Sequence, residues 1–199
     1  MPFRPIAIAI TGGIGAGKST VLAAFRVHGA ATVSSDEIVH QLLRADLDVR
    51  SILVERFGES ILDPDGIPDR AAIAAIVFDD SEALAFLEGL LHPLVSREYL
   101  TWRQQLSTLD APPRVCVTEV PLLYESGSES RFDRVVAVTA PRQLRELRRH
   151  APEDNREARL IDDSEKVARA DYHYANTGTF DDLDAWVAGL MAELTNEIV

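Results

Sequence analysis

The sequence predicts an α/β fold with five strands in one parallel sheet. Apolar runs of strand length alternate with longer segments of helical periodicity, and a glycine-rich turn joins the first run to the first helix. In addition, residues 47–107 are mostly helical in pattern, which exceeds an ordinary connection between strands. We therefore expect a single domain over residues 1–199 that contains an inserted helical subdomain at about 47–107.

The chain begins with a strand followed by a helix. Residues 6–10, IAIAI, form an unbroken apolar run, as expected for a strand buried on both faces of a sheet. The next helix is predicted over about 17–28, where Gly29 can end it. A short second strand is predicted at 31–33, and Asp36 follows just beyond its end, ahead of another helical segment.

The long helical stretch divides at turn signals. VRSILVERF, AAIAAIVF and ALAFLEGLL each have a helical pattern, and DPDGIPD at 63–69 has the composition of a turn. A further helix is expected to be entered through His92 and Pro93, because proline suits the first turn of a helix. APP at 111–113 ends the helical stretch.

Three more strands are predicted after this stretch. Residues 115–120 and 135–138 are apolar and β-branched, and 172–175 is a weaker candidate. The last segment has apolar residues in steps of three and one, which predicts an amphipathic helix packed on the sheet. These residues are Leu183, Trp186, Val187, Leu190, Met191 and Leu194.

The composition limits the possible partners. The chain has 199 residues, 46% of them hydrophobic, and a formal net charge of −12, which argues against a broad nucleic-acid surface. No apolar run reaches the roughly 18 residues of a membrane span, and the first is interrupted too early for a signal peptide. We expect a cytoplasmic protein without membrane contact. Cys116 has no partner cysteine and is expected to be a small core residue.

The glycine-rich turn matches a phosphate-binding motif. Gly12, Gly17, Lys18 and Ser19 fit GxxxxGK[ST] between a strand and a helix, which predicts a P-loop NTPase fold that binds a nucleoside triphosphate. Lys18 is expected to reach the β- and γ-phosphates, and the Ser19 hydroxyl to bind Mg²⁺. The predicted nucleotide-binding residues of the loop are Gly13, Ile14, Gly15, Ala16, Gly17, Lys18, Ser19 and Thr20.

A second basic segment, PRQLRELRRH at 141–150, is predicted to form a lid that extends to about residue 160. Arg145 and Arg149 are four residues apart, so they share one helical face and could converge on a γ-phosphate. The alternative is a solvated arginine face. The sequence lacks an NKxD-type guanine motif and is too short for a large ATPase, so its size and its helical insertion favour a small-molecule kinase.

Motifs along nearly the whole chain resemble those of the dephospho-CoA kinase family. TGGIGAGKS at 11–19 is similar to that family's phosphate loop, and LEGLLHPLV at 87–95 with VPLLYE at 120–125 is more specific. Other matching positions are Asp36 with Ile38, FGESIL at 57–62, Asp65, Gly66, Asp69, Arg70, Val77, Phe78, Gln143, Arg145, Arg149, Lys166, Ala170, Asp171, Asn176 and Gly178.

The resemblance implies a sheet of strand order 2-3-1-4-5 and ATP-dependent phosphorylation of the ribose 3′-hydroxyl of dephospho-CoA. It implies Asp36 as the base that orients this hydroxyl and accepts its proton, with Lys18 and Arg145 as the other catalytic residues. Arg149 would assist in nucleotide binding, and Glu119 could hold a magnesium-bound water, although a structural role for this glutamate is the alternative. The expected substrate-binding residues are Thr11, Asp36, Arg70, His92, Pro121, Leu122 and Glu125.

Three positions depart from the family pattern: Ser34, His150 and Leu160. Two alternatives therefore stay open at this stage. The chain could be a nucleoside, nucleotide or sugar-acid kinase, because the loop itself does not specify the acceptor. It could also be a nucleotide-binding regulatory protein whose lid has lost its catalytic groups. The oligomeric state is left undetermined.

Overall fold

The computed structural model describes residues 4–148 and 160–196. Two compact units make up the chain: residues up to Ser34 together with those from Thr101 onward, and Ser35–Leu100 between them. The first unit contains the sheet, and the second is helical. None of the helices in these described ranges is both long and apolar enough to cross a bilayer.

The sheet has five parallel strands in the order β2-β3-β1-β4-β5, which confirms the predicted fold class and order. The central strand β1 is buried from its second residue to its end, because neighbouring strands and both layers of packing enclose it. The strands are β1 (Ile6–Gly12), β2 (Ala31–Ser34), β3 (Val115–Glu119), β4 (Arg134–Thr139) and β5 (Tyr172–Ala175).

Eight α-helices accompany the strands within the described ranges. They are α1 (Lys18–Val27), α2 (Ser35–Ala45), α3 (Leu47–Phe57), α4 (Arg70–Val77), α5 (Ser81–Leu106), α6 (Arg142–Arg148), α7 (Asp163–Arg169) and α8 (Phe180–Asn196). On one face of the sheet, Ile8 and Ile10 of β1 pack in a cluster with α1 and α8. Ala9 points to the opposite face and packs with Leu123 and Tyr124, as strand alternation requires.

The helical unit has a core of its own. Leu43, Leu53, Ile61, Ile73 and Leu91 lie at its centre, each on a different segment of the unit. Aspartate side chains cap the N-termini of three helices here: Asp46 accepts two hydrogen bonds from first-turn amides of α3, Asp69 accepts one from α4, and Asp80 accepts two from α5. The predicted turn at 63–69 is present, closed by a bridge between Leu62 and Pro68.

The prediction that a helix begins at His92 and Pro93 is wrong. A single helix, α5, runs through both residues, with Pro93 in its interior. Proline lacks the N–H that would bond to the carbonyl four residues earlier, and its ring normally crowds that carbonyl. Here that residue is Gly89, and both Gly89 and Pro93 are exposed to solvent. Solvent can therefore satisfy the unbonded carbonyl, and the helix continues.

Cys116 lies on β3 and is 1% exposed, which confirms it as a core residue. Burial raises the pKa of its thiol from 9.0 to about 11. The unfolded thiol loses its proton near 9.0 while the folded thiol keeps it, so its contribution to stability is complete below pH 9.0 and is lost as the pH rises through 11.

We expect the free energy of unfolding to fall by about 2–3 kcal/mol more between these two pH values in the wild type than in Cys116→Ala. Chemical denaturation of both proteins at several pH values measures the difference. Parallel pH profiles would contradict the prediction.

Candidate active site

The loop between β1 and α1 depends on glycine where it leaves the sheet. Gly12 has φ +147°, a conformation that residues with side chains rarely adopt, and a Cβ there would overlap the carbonyl oxygen of Val138 on β4. This close approach lets the loop turn directly above the central strand. Thr11, one residue earlier, is buried, and its hydroxyl donates to the Pro121 carbonyl at 3.2 Å.

Gly17 is the last residue of this loop and immediately precedes α1. Its φ of +93° is a left-handed conformation, and its carbonyl accepts hydrogen bonds from the N–H groups of Thr20 and Val21, both at 3.1 Å. The first-turn amides of a helix have no partner within the helix, and the helix dipole makes this end positive. The loop and the first turn can therefore bind an anion such as a phosphate chain.

The Lys18 side chain lies over the loop that precedes it. Its Nζ donates to the carbonyls of Gly12 and Gly13, each at 3.0 Å. These two contacts hold the ammonium group beside the amides of the loop, where it can neutralise phosphate charge. Of the remaining predicted nucleotide-binding residues, Ala16 is buried, Ile14 is half-buried and Thr20 is exposed in the first turn of α1.

An oxygen pair lies next to the loop. The Ser19 hydroxyl donates to Oε1 of Glu119, at the end of β3, over 3.4 Å. Glu119 is only 4% exposed although it carries a carboxylate. Hydroxyl and carboxylate oxygens are the donors that Mg²⁺ prefers, and this ion usually keeps several waters, so the pair fits such an ion.

Helix α6 brings a guanidinium group to the loop. Arg145 lies so close to Gly13 that a Cβ on the glycine would come within 2.5 Å of Nη1. The same guanidinium pairs with the Asp163 carboxylate of α7 at 3.5 Å. The ion pair with Asp163 therefore helps to hold the Arg145 guanidinium next to the phosphate loop. Its predicted partner Arg149 lies outside the described residues.

The loop after β3 is held by a buried ion pair. Oε1 of Glu125 accepts from the backbone N–H of Ile161 at 3.1 Å and lies 2.9 Å from Nζ of Lys166. Lys166 is 0% exposed. The Arg169 guanidinium lies over the ring of the neighbouring Tyr124, 4.2 Å from the ring centroid. Burial raises the pKa of the Tyr124 hydroxyl. The other predicted residues of this loop, Pro121 and Leu122, are half-buried.

The helical unit contains the remaining predicted residues. Asp36 lies in the first turn of α2 with its side chain 68% exposed, and its carboxylate is 3.9 Å from the guanidinium of Arg70 at the start of α4. Asp36 follows two residues after the end of β2 in the chain. His92 is half-buried within α5.

In the sheet unit, the structure brings Thr11, Lys18, Ser19, Glu119 and Arg145 to the loop or to the adjoining ends of the strands. In the helical unit it brings Asp36 and Arg70 near each other. The roles predicted for these residues stay predictions.

Sequence reasoning assigned no role to Asp163, Lys166 or Asn176. Lys166 and Asn176 appeared only as matching positions in motifs, and no local signal distinguished them from surface residues.

The fold and the loop together define the class: this is a P-loop kinase. The family profile for dephospho-CoA kinase matches residues 6–182. Dephospho-CoA kinase of Methylococcus capsulatus is 38% identical over 192 residues, which cover 93% of this chain and 94% of that protein.

Two solved structures are similar as well. The crystal structure of TT1252 from Thermus thermophilus has a TM-score of 0.74 at 35% identity and covers 96% of this chain and 98% of its own. Dephospho-CoA kinase from Campylobacter jejuni has a TM-score of 0.71 at 25% identity, with 97% and 98% covered. The chain belongs to the dephospho-CoA kinase family: it is an ATP-using enzyme that transfers phosphate to dephospho-CoA in the last step of coenzyme A biosynthesis.

Proposed function

We propose that this chain transfers the γ-phosphoryl group of magnesium-bound ATP to the ribose 3′-hydroxyl of dephospho-CoA, giving coenzyme A and ADP. The observation that carries the proposal is the phosphate loop, with Lys18 held over it by two carbonyl contacts. This arrangement supports binding of a triphosphate, and the family supplies the acceptor. The proposed activity also assigns the chain to the cytoplasm, where both substrates would be available.

In the proposed reaction the bond between the γ-phosphorus and the bridging oxygen breaks, and a bond to the 3′-oxygen forms. The 3′-hydroxyl loses its proton to Asp36, whose exposed carboxylate is accessible to an acceptor. Charge spreads over the oxygens of the transferred group, where Lys18 and Arg145 stabilise it. We propose Arg149 as a second lid arginine on sequence grounds alone.

Magnesium is proposed as the metal of this reaction. Ser19 and Glu119 would hold it, directly or through water, because their oxygens adjoin each other at the loop. When bound, the ion would neutralise charge on the phosphates.

For the acceptor, we propose that residues 47–107 form the binding subdomain, with Asp36, Arg70 and His92 as contacts. Arg70 suits this role because its half-exposed guanidinium can bind a phosphate of the acceptor. Thr11, Pro121, Leu122 and Glu125 are proposed as contacts from the sheet unit. The segment at 141–160 is proposed to be the lid.

An acceptor panel tests the proposal. Purified protein with magnesium and ATP is offered dephospho-CoA, adenosine, AMP, shikimate or gluconate, and both ADP release and the mass of the product are followed. We expect ADP only with dephospho-CoA, together with one added phosphate on that substrate. Turnover of another acceptor instead would indicate a different small-molecule kinase. If no acceptor in the panel leads to ADP release, the result would favour a nucleotide-binding regulatory protein.

Changing Ser19 to alanine is expected to raise the magnesium concentration that gives half-maximal activity by about tenfold, because one oxygen ligand is removed. A magnesium titration at fixed ATP measures this shift. Ser126→Ala is the control, since it removes a hydroxyl from the loop after β3, outside the phosphate loop. An unchanged magnesium requirement in Ser19→Ala would remove Ser19 as a ligand.

A further inference from the structure

The loop after β5 contacts the phosphate loop through one side chain. Nδ2 of Asn176 donates to the carbonyl oxygen of Ala16 at 2.8 Å. Asn176 is itself fixed to the sheet, because its backbone N–H donates to the Thr139 carbonyl at the end of β4 over 2.7 Å. Its half-buried side chain thus links the end of the sheet to the middle of the phosphate loop.

This contact fixes the direction in which the backbone N–H of Gly17 points. In a trans peptide the carbonyl of one residue and the N–H of the next point in opposite directions. A hydrogen bond that holds the Ala16 carbonyl towards Asn176 therefore aims the Gly17 N–H away from Asn176. This N–H belongs to the stretch of amides that binds phosphate in loops of this kind.

Because Gly17 has no side chain, it does little to restrict rotation of the Ala16–Gly17 peptide plane. Glycine rotates freely, and its φ of +93° is a region that other residues avoid. A Cβ at Gly17 would overlap Nδ2 of Asn176, so the amide fills the space that the missing side chain leaves. The neighbouring Ala16 N–H is already bonded, to the Gly13 carbonyl at 3.2 Å.

We propose that Asn176 is a positioning residue for phosphate binding: its side-chain amide fixes the Ala16–Gly17 peptide so that the Gly17 N–H is directed at the nucleotide's phosphates. Asn176 acts through the loop and touches no reacting atom. The proposal rests on the proposed function only in requiring that the loop binds a polyphosphate.

The test uses Asn176→Asp, which has the same shape but sets an oxygen against the Ala16 carbonyl, and Asn176→Ala, which removes the contact. Asn196→Asp is the matched control, because it makes the same change at an exposed residue at the end of α8. Binding of two probes, ADP and inorganic tripolyphosphate, is measured by calorimetry. Thermal unfolding of each variant checks its folding.

We expect Asn176→Asp to weaken binding of both probes by about tenfold or more and by the same factor, and Asn176→Ala to weaken both less, because a repulsive contact costs more than a missing one. Asn196→Asp should bind as the wild type does. In kinetics, KM for ATP should rise while KM for dephospho-CoA stays within about twofold.

A pH series adds a readout that general loosening of the fold would not move. As the pH falls, the carboxyl introduced by Asn176→Asp gains a proton and can donate to the Ala16 carbonyl again, so tripolyphosphate binding should recover relative to Asn176→Ala.

Three results would overturn the proposal. Weaker ADP binding with unchanged tripolyphosphate binding would mean that Asn176 contacts the nucleoside instead. Unchanged binding of both probes by Asn176→Asp and Asn176→Ala would mean that the contact has no effect, and if Asn176→Asp fails to fold, Asn176→Ala decides. A wild-type protein that binds neither probe would overturn the proposed function as well.

Discussion

Changing Asp36 to asparagine is expected to lower kcat for dephospho-CoA by about a hundredfold to ten-thousandfold, while the affinity for ATP stays nearly unchanged. Asparagine keeps the shape of the side chain but cannot accept the proton of the 3′-hydroxyl. The phosphate loop lies in the sheet unit and Asp36 in the helical unit, so we expect nucleotide binding to be independent of this carboxylate. Steady-state kinetics with both substrates varied, together with ATP binding by calorimetry, measure the two effects.

Asp48→Asn is the matched control for this variant. Asp48 also lies in the first turn of a helix of the helical unit, and its side chain has no predicted catalytic role. The pair of Asp36 with Arg70 is long and mostly exposed, so its loss should leave the thermal unfolding temperature nearly unchanged. Full turnover by Asp36→Asn would eliminate Asp36 as the base.

Changing Lys166 to methionine is expected to lower the free energy of unfolding by about 3 kcal/mol. Methionine preserves most of the side-chain volume, but it leaves the largely buried Glu125 carboxylate without its counter-charge. The Ile161 N–H is then the remaining hydrogen-bond donor that the structure gives to Oε1 of Glu125 among the described residues. Chemical denaturation at neutral pH measures the loss.

Two further variants isolate the cause of this destabilisation. Combining Lys166→Met with Glu125→Gln removes both charges, and it should recover a large part of the lost stability in a double-mutant cycle. Arg142→Met breaks the exposed pair with Glu146 and should cost less than about 1 kcal/mol. If the single and double variants are equally unstable, the uncompensated charge of Glu125 is not the cause.

The central part of the fold was predictable because its residues carry local signals. The apolar run of β1 and the spacing from Gly12 to Ser19 predict a strand, a phosphate-binding loop and a helix from neighbouring residues alone. The order of the strands came from the family resemblance, since strand patterns do not identify their partners.

The features that sequence reasoning missed depend on contacts between distant residues. Proline at position 93 signals a helix start, but α5 continues through it at an exposed position, where solvent can reach the carbonyl that lacks its helical partner. Lys166 looks like a solvent-exposed residue of a short charged helix until its pairing with Glu125 is known. Likewise, the contact of Asn176 with Ala16 joins residues at opposite ends of the sheet unit's sequence. In such cases the residue type gives no indication of its partner.

The strand order also determines when the sheet can assemble during synthesis on the ribosome. Among residues 4–148 and 160–196, β1 pairs only with β3 and β4, and β2 pairs only with β3. Neither β1 nor β2 can therefore pair within this sheet until the polypeptide has been translated past Val115. Until then the apolar segment IAIAI has no partner strand in the nascent chain. Chaperones shield exposed apolar segments of this kind from aggregation.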